Sequence, residues 1–206
     1  MRSENEPAGQ KGRSFIEEAR RAQIMASTVE VIAEVGFAQA SLARIAQHAG
    51  ISKGVISYHF AGKDELMEQV VEHTYKAIAE HVMAKMEGLT SATELLRTHI
   101  TAVAEHMRGH RSQIRALGEI FGNLRTADGK PRYGMHTNEE LYQGMEYVYR
   151  LGQSTGEFRR FDPRVMAVTQ QAAVDHMFAY WITHPDHDLE AHATELADLM
   201  ERACRA

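Results

Sequence analysis

The sequence predicts an all-α protein, and three observations support this prediction. Apolar residues recur every three or four positions along most of the 206-residue chain, which is the spacing of one helix face. No stretch shows the sustained period-two alternation of a half-buried strand. The four prolines, at positions 7, 131, 163 and 185, leave every long periodic segment uninterrupted.

The N-terminal end predicts a disordered arm and then a helix. Residues 1–14 hold few apolar side chains that could be buried, so we expect this arm to be disordered. From Phe15 to Val35 apolar residues return at helical spacing, and Gly36 follows at the position of a C-cap.

Two short helices are predicted next, joined by a tight turn. Ser41 can cap the first of them and Gly50 ends it, while Ser52 can cap the second, which reaches about Phe60. Three helices within about 45 residues, the last two joined at a glycine, are typical of a helix-turn-helix unit. We therefore assign residues 15–62 to one small domain.

The remaining residues, 63–206, predict a second and larger helical domain. Its first helix would span about 36 Å over about 24 residues, which is too long for the small domain alone, so we expect it to connect the two domains. Asp162-Pro163 supplies an N-cap and a first-turn proline for a later helix. The predicted helices are residues 63–87, 91–107, 112–125, 137–155, 163–184 and 188–205.

Composition excludes several classes of protein. Hydrophobic residues form 44% and charged residues 25% of the chain, as in ordinary globular proteins, and no apolar run is long enough to span a bilayer. The polar N-terminus lacks the apolar region of a secretory signal. Cys204 is the single cysteine, which excludes an internal disulfide and favours a reducing, cytoplasmic location.

Net charge gives no direct indication of a nucleic-acid partner. The chain carries −5 overall, and residues 1–65 hold eight basic and eight acidic side chains. A strongly basic domain would indicate DNA binding by its charge alone, so here that prediction rests on individually placed residues.

The third helix shows such a placement. Its outer face fits the major groove of DNA, while free backbone N–H groups near Ser41 and Lys63 suit phosphate oxygens, and Lys63 would add a mobile positive charge. The core of the unit would be formed by Ile45, Ala46, Ile51, Ile56 and Phe60. The outer face then carries Ser52, Lys53, Val55, Ser57, Tyr58 and His59.

The run GISKGVISYHF at residues 50–60, followed by KDEL at residues 63–66, resembles the recognition segment of the tetracycline-repressor (TetR) family of bacterial transcription regulators. Gly36-Phe37, Ser41 and Ile45-Ala46 are similar to the same family's pattern, so the resemblance covers about residues 15–66. It implies a homodimer that binds a double-stranded DNA operator and responds to a small-molecule effector held in each C-terminal domain.

The resemblance also implies individual roles. Phosphate contacts are expected from Ser41, Lys53, Tyr58 and Lys63. Val55, Ser57 and His59 would lie closer to the bases. The complete predicted DNA-binding set is Ser41, Arg44, Ser52, Lys53, Gly54, Val55, Ser57, Tyr58, His59 and Lys63.

Two positions depart from the family's pattern. Members often have a hydroxyl residue in place of Val55 and an aromatic residue in place of Ser57. Val55 could still contact a thymine methyl group. The departures therefore bear on the operator sequence, and not on DNA binding itself.

The C-terminal domain is rich in methionine and aromatic residues, which suit an adaptable, mostly apolar pocket. Because the resemblance calls for an effector site, these residues are its candidates. Core packing or dimer contact is the alternative interpretation of each. The candidates are Met107, Phe121, Tyr142, Met145, Tyr149, Met177, Phe178 and Trp181.

Twelve histidines are many for a chain of this length. His106 and His110 lie four residues apart, and His184, His187 and His192 cluster in the sequence. Imidazoles at such spacing can bind zinc, but a site needs further ligands, so we expect neither a metal nor a cofactor. Metal sensing and pH sensitivity are the open alternatives.

The last two predicted helices are the expected dimer contact. The 188–205 helix carries an apolar seam at roughly heptad spacing, and with the 163–184 helix it could meet its two-fold mate in a four-helix bundle. The alternative is an amphipathic helix packed on its own chain. The seam consists of Leu189, Ala193, Leu196, Met200 and Ala203.

The sequence thus predicts a ligand-responsive transcriptional regulator, expected to be a repressor that a small, mostly apolar molecule releases from a near-palindromic operator. Catalysis is not expected, because the sequence contains no Gly-rich phosphate loop after a strand, no H-E-x-x-H and no G-x-S-x-G. The alternative is a helical ligand- or metal-sensing protein that does not bind DNA specifically.

Overall fold

The computed structural model describes residues 8–206, except the side chains of residues 8–15 and of Met135. Within this range the all-α prediction is confirmed: the chain forms nine α-helices and no strand, with a 3₁₀ turn at Met135–Asn138. None of the helices described is long and apolar enough to cross a membrane. The helices are α1 Ala8–Val35, α2 Leu42–His48, α3 Lys53–His59, α4 Lys63–Met86, α5 Ala92–Met107, α6 Arg111–Asn123, α7 Glu139–Thr155, α8 Pro163–Thr183 and α9 Leu189–Cys204.

Helix α1 begins earlier than predicted. Residues 1–7 of the predicted disordered arm lie outside the described residues, but residues 8–14 belong to α1, so this part of the prediction is wrong. The other end is as predicted, since α1 ends at Val35 and Gly36 has a φ of +78°.

The packing of the backbone divides the chain into two compact units. The first comprises the residues up to His73 together with Ala116–Leu124, and the second comprises Thr74–Arg115 and Arg125–Ala206. Helices α4 and α6 therefore contribute residues to both units. The boundary between residues 62 and 63 that the sequence suggested stays a prediction.

The first unit is built around the expected helix-turn-helix core. Ile45, Ile56 and Phe60 are buried, and α1 adds the buried Ile24 and Ile32. The sequence placed all of α6 in the larger domain, whereas its C-terminal part belongs to this unit. The buried residues of that part and its end are Ala116, Leu117, Ile120 and Leu124.

The second unit has an apolar core to which α5, α7, α8 and α9 contribute. Glu157 fastens the start of α5, because its carboxylate accepts hydrogen bonds from the Ser91 hydroxyl at 2.7 Å and from the backbone N–H groups of Ala92 and Thr93 at 3.0 Å. These hydrogen bonds, first that from Ser91, stabilise the anion and lower the pKa of Glu157 to about 2.

Candidate nucleic-acid interface

Helices α2 and α3 form the helix-turn-helix. Ser41 caps α2, since its Oγ accepts a hydrogen bond from the Arg44 backbone N–H at 3.2 Å. Gly50 adopts a φ of +66°, in the left-handed region that glycine enters without steric cost. The Ile51 N–H closes the turn on the Ala46 carbonyl at 3.0 Å. Ser52 occupies the N-cap position of α3, but its side chain makes no capping hydrogen bond.

The outer face of α3 is polar and open to solvent. Tyr58 is 75% exposed, and its ring contacts that of the half-buried His59 edge-on at 5.0 Å. Val55 is also half-buried. Hydroxyl, ammonium and imidazole groups share this face, and such groups hydrogen-bond phosphates and base edges. The exposed members of the predicted set are Ser41, Arg44, Ser52, Lys53, Gly54, Ser57 and Tyr58.

Arg21 of α1 holds the C-terminal end of α3, a role that the sequence did not reveal. Its guanidinium donates to the His59 carbonyl and, at 3.1 Å, to Oε1 of Gln69 in α4, and it lies 4.3 Å from the centre of the Phe60 ring. A cation at the last carbonyls of a helix offsets their partial negative charge. Arg21 therefore orients the candidate recognition helix.

The structure changes the interpretation of Lys63. Its Nζ donates to the Phe37 carbonyl at 2.6 Å and lies 4.2 Å from the centre of the Phe37 ring. Burial lowers the pKa of this half-buried ammonium group. The expected mobile charge is therefore wrong, because a hydrogen bond and a cation–π contact hold the side chain in place. Its role as a phosphate contact stays a prediction.

Glu119 of α6 completes the support of the loop between α1 and α2. Its Oε2 accepts the Phe37 backbone N–H at 2.9 Å, so charged side chains of α4 and α6 satisfy both polar groups of this backbone position. The loop leads directly to Ser41. Its position thus depends on Lys63 and Glu119, from the two helices that contribute residues to both units.

Seven of the eight predicted effector-site residues lie in the core of the second unit. The eighth, Phe121, belongs to the first unit, where it is half-buried. The close packing of the seven supports the fold, and contact of any of them with an effector stays a prediction. The seven are Met107, Tyr142, Met145, Tyr149, Met177, Phe178 and Trp181.

A chain of polar groups enters this apolar core. The Tyr149 hydroxyl donates to Gln170 Oε1 at 2.5 Å, and the Gln170 amide nitrogen lies 3.1 Å from His99 Nδ1. Because the amide nitrogen can only donate, Nδ1 is the acceptor and the neutral imidazole carries its proton on Nε2. Burial lowers the pKa of His99 to about 4 and raises that of Tyr149, so both groups are uncharged near neutral pH.

The predicted dimer seam on α9 is largely buried against other helices of the same chain. Arg97 of α5 pairs with Asp198 and Glu201 of α9 at 2.6 and 2.7 Å, beside the buried stripe. The seam as a dimer contact is therefore wrong, because a stripe at this spacing packs equally well on a helix of the same chain. The stripe residues buried in the core are Leu189, Ala193, Leu196 and Met200.

Other apolar residues of α8 and α9 are open to solvent. Val165 and Tyr180 on α8 are 59% and 47% exposed, and Leu199 on α9 is 62% exposed. An open depression of about 420 Å³ lies at Tyr180, lined by residues of α8 and by His192 of α9. These exposed side chains of the last two helices are not part of the predicted seam.

Six of the twelve histidines form two contact groups. In one, His106 lies 5.1 Å from both His81 and His110, measured between ring centres. In the other, His187 Nε2 lies 2.8 Å from His192 Nδ1, and His184 stacks on Tyr180. Within the described part of the chain, no three His, Cys, Asp or Glu side chains are placed to hold a metal ion.

The segment that forms the helix-turn-helix matches the sequence pattern of a known protein family. The family model for bacterial regulatory proteins of the tetR family matches residues 24–70, which include α2, the turn at Gly50 and α3. This segment of the chain therefore matches the TetR family. The match ends within α4, so it covers the helix-turn-helix and leaves the whole second unit outside.

Curated relatives match a limited part of the chain. The chain is 39% identical over 90 residues to the HTH-type transcriptional regulator BetI 2 of Chromohalobacter salexigens, which is 44% of this chain and 42% of that protein. It is 36% identical over 86 residues to BetI of Ectopseudomonas mendocina, which is 42% of this chain and 43% of that protein. The match thus spans less than half the length of these relatives.

Solved structures extend the similarity of fold to most of the chain. The fatty acid degradation regulator FadR of Bacillus halodurans has a TM-score of 0.78 at 19% identity, over 88% of this chain and 94% of that chain. A transcriptional regulator of Saccharomonospora viridis in complex with choline has a TM-score of 0.75 at 21% identity, over 92% and 98% of the two chains. At these identities the likeness shows the fold alone.

Proposed function

We propose that the protein is a ligand-responsive DNA-binding transcriptional regulator, a repressor that a small molecule releases from a near-palindromic operator. The observation that carries this proposal is the exposed face of α3. Lys53, Ser57 and Tyr58 are exposed there, while Ile56 and Phe60 are buried. This face lies in the segment that matches the TetR family, and the matching relatives are named transcriptional regulators.

In this proposal α3 enters the major groove and the capped end of α2 meets the backbone. Lys53, Tyr58 and the backbone at Ser41 bind phosphates, which position the protein on the duplex. Ser57 and His59 contact base edges, and the partly exposed Val55 packs on a thymine methyl group. Arg21 fixes the angle at which α3 is presented.

A homodimer is part of the proposal, because a near-palindromic operator is matched by a protein with two-fold symmetry. The contact would use the exposed residues Val165, Tyr180 and Leu199 of α8 and α9 in place of the buried stripe. Gel filtration with light scattering tests it. Tyr180→Glu/Leu199→Glu should give the monomer mass, whereas Tyr147→Glu, at a 67% exposed position of α7, should stay dimeric. A double variant that remains dimeric would contradict this contact.

A ligand switches such a dimer only through differential binding. It must bind the arrangement that fails to fit DNA better by a few kcal/mol if it is to shift most of the population. Helices α4 and α6 are the proposed coupling elements, because Lys63 and Glu119 at their first-unit ends hold the loop that leads to Ser41.

The experiment that tests the function is the selection of random and genomic DNA fragments by the purified protein. Wild type should enrich a near-palindrome, and Lys53→Ala/Tyr58→Ala should lose it. The matched control is Lys76→Ala/Tyr147→Ala, which removes the same side-chain types from other exposed positions and should retain the enrichment.

If the folded, dimeric wild type enriched no sequence, this result would contradict the proposal. That outcome would favour the alternative of a helical sensor that does not bind DNA specifically.

A further inference from the structure

Four aromatic rings form a continuous chain of contacts where α8 ends and α9 begins. Tyr180 of α8 stacks on His184, with ring centres 3.8 Å apart and an angle of 13° between the planes. The Tyr180 ring also meets that of His187 edge-on at 4.8 Å, and the His187 ring meets that of His192 edge-on at 5.0 Å. These rings thus connect α8, the residues that follow it and α9.

A hydrogen bond between two imidazoles lies at one end of this chain of rings. His187 Nε2 is 2.8 Å from His192 Nδ1, and both side chains are half-buried. A neutral imidazole has one N–H group and one nitrogen with a free lone pair, so one ring donates and the other accepts. The hydrogen bond therefore depends on the protonation state of both rings.

The pair can take up one proton without losing its hydrogen bond, but not two. The donating ring has a free nitrogen on its far side, and a proton bound there makes the ring a cation that donates more strongly. A second proton would have to bind the accepting nitrogen, whose lone pair forms the hydrogen bond. Two N–H groups would then face each other, and two cations with ring centres 5.0 Å apart would repel each other.

Charged groups on the neighbouring helices are engaged with other partners. Arg108, at the end of α5, pairs with Glu190 of α9 at 2.7 Å. Arg111 of α6 donates to the Pro185 carbonyl at 3.3 Å, and Asp188 accepts a backbone N–H as the N-cap of α9. After burial, the charge of His187 is the second cause that lowers the pKa of His192. The other titratable side chains on this part of α8, α9 and their connection are His176, Tyr180, His184, Asp186 and Glu195.

We infer that His187 and His192 form a pH-sensitive contact between α9 and the residues that follow α8, closed at neutral pH and open in acid, when both rings are protonated. Since the pKa of His192 is lowered in the folded state, the stability that the closed contact gives is present above the ordinary histidine pKa and lost as the pH falls. Tyr180, on which His187 packs, belongs to the proposed dimer contact, so opening should also weaken the dimer. This second effect rests on the proposed function, whereas the contact itself does not.

An NMR titration of the full chain tests the contact. The imidazole Cε1–H signals of His187 and His192, assigned with His187→Gln and His192→Gln, are followed from about pH 8 to about pH 4. We expect two steps separated by at least about one pH unit, because the second proton costs the hydrogen bond. In His187→Gln the amide can bond His192 in either protonation state. His192 should then titrate in a single step, at a higher pH than the second step of wild type.

The control variant is His136→Gln, which removes an exposed imidazole from the connection between α6 and α7 and should leave both steps unchanged. Circular dichroism checks that each variant is folded at every pH. If His187→Gln does not fold, His192→Gln takes its place, and His187 should then titrate in a single step. Titration of both rings of wild type at one midpoint would overturn the inference, as would a wild-type titration of the remaining histidine in a folded Gln variant.

Light scattering at about pH 8 and about pH 5 tests the effect on the dimer separately. The dissociation constant of the wild-type dimer should rise at least tenfold in acid, and that of His187→Gln should rise less. A coupled titration with a pH-independent dimer supports the contact and contradicts its effect on the dimer. A coupled titration of a chain that is monomeric at every pH supports the contact and contradicts the proposed homodimer. A dimer whose two histidines titrate independently overturns the contact and leaves the homodimer intact.

Discussion

The two units of this protein present their candidate contacts in different ways. In the first unit the predicted DNA contacts lie in one stretch, residues 41–63, and most of them are exposed. In the second unit the hydrogen-bonded polar groups Tyr149, Gln170 and His99 come from three separate helices. A candidate DNA-binding face can thus be encoded locally, whereas a polar cluster inside a helical core is a product of tertiary packing.

For the same reason, substitutions in the two units should affect stability and recognition differently. Exposed side chains on α3 can change with little effect on folding, because they lose few packing contacts. Residues around the core of the second unit cannot change without cost to the fold. Substitutions that affect one property and leave the other unchanged therefore test this comparison.

The largest effect is expected at Gly152 in α7. A Cβ added there would lie 2.1 Å from Phe158 Cδ2, and the Phe158 ring is buried. Gly152→Ala should destabilise the protein by about 3 kcal/mol through overpacking. Gly144→Ala in the same helix meets no atom within 4 Å and should stabilise it by about 0.5–1 kcal/mol. Urea unfolding measures the change in the free energy of unfolding for both variants. A change in the same direction for both would contradict the close packing of Phe158 on Gly152.

A pH-dependent effect is expected from His99. Burial lowers its pKa from 6.5 to about 4 in the folded state, so between these values the unfolded chain binds more protons. Stability should therefore fall as the pH drops through this window, by at most about 3 kcal/mol from this group. His99→Gln can still accept from Gln170 and should flatten the dependence, whereas the exposed His48→Gln should keep it. Unfolding measured at a series of pH values tests this prediction. Equal slopes of stability against pH for wild type and His99→Gln would contradict it.

A smaller effect is expected at Glu119. Glu119→Ala leaves the Phe37 N–H without its acceptor and should cost about 1–2 kcal/mol of stability. Operator affinity should fall as well, because the loop leading to Ser41 loses its support. Glu119→Gln keeps an acceptor oxygen and should recover most of both losses. Unfolding and fluorescence anisotropy with a labelled operator measure them; an Ala variant equal to wild type would refute this role of Glu119.

Features set by neighbouring residues could be predicted from the sequence. Ser41 caps α2 and Gly50 makes the turn because each acts within a few residues of its own position. Arg21 and Glu119 could not be predicted, since their partners lie 38 and 82 residues away. The stripe on α9 was misassigned because periodicity identifies an apolar face without identifying what covers it. The pairing of His99 with Gln170 gave no signal, because the two residues lie 71 positions apart in the sequence.

The salt dependence of operator affinity tests the central claim, that the face of α3 binds DNA, most directly. For wild type, the logarithm of the association constant should fall linearly with the logarithm of salt concentration, because phosphate contacts release counterions. Lys53→Ala should reduce the slope by about two, one for each subunit of the dimer, whereas Lys76→Ala, at an exposed position of α4, should leave it unchanged. Affinity that is independent of salt, or a slope equal to that of wild type in Lys53→Ala, would contradict the account.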